Sequence, residues 1–97
     1  MEDSILENEI IKVKKYSVGT VYMLNMHNDM VAVIAFDKNK NSICSRSFFH
    51  NEKNKKEIMK EAREYFRKVQ ECLYQKKLNM LEELDLFWTL KKIINQI

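Results

Sequence analysis

The residues best equipped for chemistry in this chain are two thiols and two imidazoles: Cys44, Cys72, His27 and His50. In chain order they are separated by 17, 6 and 22 residues. Structural zinc sites draw their ligands from closely spaced pairs, so this set predicts no metal centre. Nucleophilic catalysis needs a Ser, Cys or Thr held by a base that a third group orients. Cys44 and His50 lie across the end of one predicted strand, and no third group is marked. Paired carboxylates can act as acid and base only where a cleft holds them together. Glu57, Glu61 and Glu64 do line up, but on the outer side of a predicted helix, a position that water solvates. A Gly-rich phosphate cradle is excluded, because Gly19 is the one glycine. The expectation is a binding protein rather than an enzyme, with no metal and no cofactor.

The basic residues are the next candidates. The net charge of +3 hides an asymmetry. Four acids (Glu2, Asp3, Glu7 and Glu9) fall in the first nine residues, which hold no Lys or Arg. Residues 10–77 carry 15 Lys and Arg against 7 acids, a local charge of +8. Residues 78–97 carry −1, from Lys91 and Lys92 against Glu82, Glu83 and Asp85. A basic centre of this kind fits an anionic partner. Lys56, Lys60, Arg63 and Arg67 fall within one narrow arc of a helix turning about 100° per residue. Lys12, Lys14 and Lys15 on a strand, Lys38 and Lys40 in a turn and Arg46 on another strand form a second group. Tyr16, Tyr22, Phe36, Phe48 and Phe49 interleave with it, a mixture that can stack single-stranded bases.

The carboxyl-terminal residues are unusually apolar. Leu81, Leu84 and Trp88 occupy one arc of a predicted helix. Leu86, Leu90, Ile93 and Ile97 lie almost opposite, with Met80, Phe87 and Ile94 between them. A helix that is apolar all round must be buried all round. One small domain covers one side of it, and monomers rarely leave large apolar patches in water. Leu81, Leu84, Phe87, Trp88 and Ile94 are therefore expected to form an interface, with a second copy in a homodimer or with a macromolecular partner.

The elements that must position these groups follow from periodicity. Residues 1–9 read as an acidic arm. Residues 10–18 alternate, with Ile11 and Val13 on one face and Lys12, Lys14 and Tyr16 on the other, which is the strand signal. Gly19 interrupts, and residues 20–26 form a second strand. His27, Asn28 and Asp29 supply turn chemistry. The apolar run from Met30 to Phe36 reads as a central strand. Residues 37–41 are a second turn and residues 42–49 a fourth strand. Short turns in succession predict an antiparallel meander. The period then becomes helical. Asn54 with Glu57 forms a capping box, and Ile58, Ala62, Tyr65, Phe66, Val69, Cys72 and Leu73 form an apolar stripe to residue 77. Asn79 with Glu82 opens a second helix over residues 79–97. The fold class is α+β: one domain over residues 1–97, with the sheet at 10–49, a long helix at 54–77 packed on it, and an apolar helix at the carboxyl end.

Size and balance agree with that reading. The 97 residues are 45% hydrophobic and 32% charged, a globular proportion. The longest apolar run is far short of the ~20 residues a membrane span needs. The amino end carries acids where a secretory leader carries basic residues, so the expected location is the cytoplasm, with Cys44 and Cys72 reduced. Residues 19–70 resemble an AP2-type DNA-binding domain, through Ser45-Arg46-Ser47-Phe48 followed by Ala62-Arg63-Glu64-Tyr65. The resemblance implies three strands with a helix on their back, and a sheet that reads DNA with Arg and Trp. Here the strands offer Arg46 and no Trp, so base reading does not carry over residue by residue. The small size and the Lys-, Asn- and Ile-rich composition also suit an accessory protein of a phage or mobile element that blocks a host enzyme, as anti-CRISPR proteins do. The leading expectation is a small protein that blocks or tethers a macromolecular partner, and the alternative is a nucleic-acid-binding module.

Overall fold

A computed structural model describes residues 9–26, 30–49 and 54–95. Residues 1–8 of the proposed arm, His27, His50 and Ile97 lie outside the described residues. Four strands, β1 (Ile10–Tyr16), β2 (Gly19–Met26), β3 (Met30–Asp37) and β4 (Ser42–Phe49), precede two helices, α1 (Lys55–Tyr74) and α2 (Met80–Asn95). The strands form one antiparallel meander in the order β1-β2-β3-β4. This is the α+β architecture that the change of period predicts.

The turns explain why the meander closes where it does. Asp37 accepts hydrogen bonds from the backbone N–H groups of Asn39 and Asn41 at 2.8 and 2.9 Å. That side chain organises the β3–β4 turn, which in turn lets Lys40 adopt a left-handed φ of 68°. Gly19 does not interrupt a strand but opens β2, paired with Tyr16 and Asp37. A side chain there would collide with the carbonyl oxygen of Phe36, so close strand approach is the reason for glycine.

Alternation places Val21, Met23, Val31, Val33, Ala35 and Phe48 beneath the helices. Ile58, Ala62, Tyr65, Phe66, Val69 and Leu73 of α1 descend onto them, all at most 3% exposed. Asn54 caps α1, accepting the Glu57 N–H at 2.9 Å. At the other end Lys76 takes a φ of 59°, while its N–H reaches the Leu73 carbonyl and that of Lys77 the Cys72 carbonyl. This is a Schellman closure with lysine at the position glycine normally fills.

Strand β1 runs opposite to its expected polarity. The register sets Lys12 beside Met23, Lys14 beside Val21 and Tyr16 beside Gly19, on the helix-bearing side. Ile11 and Val13 are 43% and 37% exposed. An edge strand has a neighbour on one side only, so long lysine stems can cover core rings while their charges reach water.

Candidate functional site

Two surfaces stand out. The first is a groove of about 790 Å³ between the β1 edge and α1, lined in part by Lys12, Lys60, Arg63 and Arg67. Lys12 of the sheet group thus meets three of the four helix cations across one cleft. The Lys12 ammonium lies 5.3 Å from the centre of the Phe66 ring. Gln70 donates to the Tyr16 hydroxyl at 2.9 Å. Tyr16 meets Tyr74 edge to face, with ring centres 6.1 Å apart. Lys60, Arg63 and Arg67 are exposed and form no ion pair with any described residue. Glu64 and Glu71 also line the groove.

Not every basic candidate takes part. Lys14 and Lys56 are exposed but do not line the groove. Arg46 points beneath α2, so its assignment to an open basic face is corrected. Its guanidinium meets the Asp85 carboxylate at 2.7 Å, the Asp85 carbonyl at 3.2 Å and the Thr89 hydroxyl at 2.9 Å. It also lies 5.8 Å from the Tyr65 ring centre. Tyr74 was not among the expected site residues. Its signal is helical phase: at about 100° per residue it falls in the same arc as Lys56, Lys60, Arg63 and Arg67.

The second surface is α2. Leu81 and Trp88 are each 4% exposed and belong to the domain's own core, with Leu84 packed beside them. Their expected place in an interface is therefore corrected. Trp88 stacks edge to face on Tyr65, ring centres 5.2 Å apart, which fixes that side of α2 inward. Phe87 and Ile94 do face water, at 57% and 66% exposure. Leu86, Leu90 and Ile93 join them at 59%, 49% and 50%. These last three were legible as an arc opposite Trp88, but the sequence left open which arc faced the core.

Between the surfaces, the Cys44 thiol and the Tyr65 hydroxyl are 2.7 Å apart. Burial pushes both groups up in pKa, and it raises Cys72 as well. Each thiol is thus held in its protonated, poorly nucleophilic form. Both cysteines are free. Among the described residues no group of three His, Cys, Asp or Glu side chains gathers to hold a metal ion. No helix among them is long and apolar enough to cross a membrane.

No family model, no curated protein and no solved structure matches this chain. An AP2 sheet presents its reading residues away from the helix, whereas Arg46 lies on the helix-bearing face and is engaged by Asp85.

Proposed function

We propose that this chain is a small non-enzymatic binding protein that self-associates through the outward face of α2. The observation that carries the reading is the exposure of Leu86, Phe87, Leu90, Ile93 and Ile94, each about half or more in water, on one helix of 16 residues. Exposed to this degree, the five large apolar side chains together leave on the order of 500 Å² of apolar surface. That lies near the top of what a monomer tolerates, and a standard interface uses about 800 Å² per partner.

Charge placement favours a second copy as the occupant. Glu83 and Lys91 lie four residues on either side of Phe87. Met80 and Ile94 lie seven residues on either side of it. Two α2 helices packed antiparallel about Phe87 set Glu83 against Lys91 of the second copy, and Met80 against Ile94. A two-fold axis through Phe87 makes this pairing twice over, as an isologous interface requires. A dimer so formed holds two copies of every other surface, which is how it tethers a partner.

Sedimentation equilibrium tests the reading. A dimer is expected for the native chain and a folded monomer for Leu90→Asp with Ile94→Asp. Glu83→Lys should weaken the dimer, and adding Lys91→Glu should restore it. A native chain that stays monomeric at every concentration would refute the reading.

A further inference from the structure

We infer that the groove between β1 and α1 binds a short single-stranded stretch of nucleic acid. The inference is independent of the α2 face. Three features of the groove converge on it. The first is the row of cations. A rise of about 1.5 Å per residue sets Lys60, Arg63 and Arg67 roughly 4.5 and 6 Å apart along the helix axis. Successive phosphates of an extended strand meet successive cations in such a row, where one isolated anion would meet a single group. Lys12 reaches the same groove from the β1 side.

The second feature is aromatic. Tyr74 is 72% exposed at the edge of the groove, although its neighbour Leu73 is fully in the core. The Tyr16 and Tyr74 rings meet at an interplanar angle of 73°, and with Tyr74 72% exposed a face of its ring stays open to water. The Gln70 amide bonded to the Tyr16 hydroxyl fixes that geometry in turn. An open tyrosine face beside a cation row is the arrangement that stacks an unpaired base while its phosphate is neutralised. A duplex keeps its base faces stacked on one another, so it cannot use Tyr74.

The third feature is polarity across the groove. Glu64 and Glu71 line it together with the cations. A pocket for free inorganic anions has no use for carboxylates. A strand does, because base amino groups donate to carboxylates while its phosphates lie toward Lys60, Arg63 and Arg67. Met23 and the buried Phe66 ring contribute an apolar lining.

The test is fluorescence anisotropy of the full chain with a labelled 12-nucleotide oligodeoxycytidylate, whose bases carry the amino donor, against a labelled duplex of equal length. The single strand should bind more tightly than the duplex, with an affinity that falls steeply as salt rises. Lys60→Ala, Arg63→Ala and Arg67→Ala combined should flatten the salt slope by about 2, close to 0.7 per phosphate contact. Tyr74→Ala should weaken binding by about 5- to 150-fold with an unchanged salt slope, since stacking is not ionic. All four positions are exposed, and circular dichroism of each variant verifies that the fold is retained. No binding at about 50 mM salt would overturn the inference. So would equal affinity for the duplex, displacement of the strand by millimolar inorganic phosphate, or a triple variant that binds like the native chain.

Discussion

Arg46 on β4 and Asp85 on α2 are 39 positions apart in the chain and 2.7 Å apart in space. The guanidinium also reaches the Asp85 carbonyl and Thr89, whose hydroxyl in turn bonds that same carbonyl. One sheet residue thus grips a full turn of α2 next to Trp88. The Asp85 side chain is 52% exposed, so water screens the pair. A double-mutant cycle on Arg46→Ala and Asp85→Ala should give a coupling of about 0.5–1 kcal/mol, smaller at high salt. A coupling near zero would leave the apolar contacts as the sole anchor of α2.

Phe87 and Trp88 are adjacent in sequence and face opposite environments. Trp88→Ala removes a core ring packed on Tyr65 and should cost about 3–5 kcal/mol. Phe87→Ala should cost under about 1 kcal/mol in the monomer, because its ring is already more than half in water. Denaturant unfolding of both variants, read at a concentration where the chain is monomeric, checks the orientation of α2. Equal losses would mean that the helix is rotated from the position described.

Cys44 and Tyr65 share a proton-bearing contact that should make the fold sensitive to alkali. Burial raises both groups above their ordinary values of 9.0 and 10.0. The folded chain therefore holds these protons more tightly than the unfolded chain. Their contribution is complete below about pH 9, then declines as the unfolded thiol and phenol ionise, until the folded groups ionise too. The Cys44→Ala, Tyr65→Phe double variant should be less stable at pH 7, yet should lose less on going to pH 10.5. Parallel stability curves for the two proteins would contradict this.

Lys76 closes α1 in a left-handed conformation at φ 59°. A non-glycine residue there costs about 1 kcal/mol, and Gly relieves it. Lys76→Gly should raise stability by about 0.5–1 kcal/mol in thermal or denaturant melts. A loss would mean that the lysine side chain makes a compensating contact in the loop before α2.

Each element was legible along the chain, because each depends on local periodicity and local chemistry. Alternation marked the strands, the Asp37 and Asn41 region marked a turn, and Asn54 with Glu57 marked the start of α1. The stripe from Ile58 to Leu73 named the buried face of that helix, since its polar positions leave no other face to bury. Even the basic arc of Lys60, Arg63 and Arg67 was legible, with Tyr74 inside it by phase. Packing between elements settled what no single element could specify. Helix α2 offers two apolar faces of similar strength, and only the hole beside Tyr65 and the grip of Arg46 select the face bearing Leu81 and Trp88. Strand β1 offers an apolar and a basic face, and its position at the sheet edge turned Lys12 and Tyr16 toward α1. The meeting of Lys12 with Lys60, Arg63 and Arg67 followed from that turn. Periodicity fixes which residues share a face, but which face is buried depends on the shape of the neighbour that receives it.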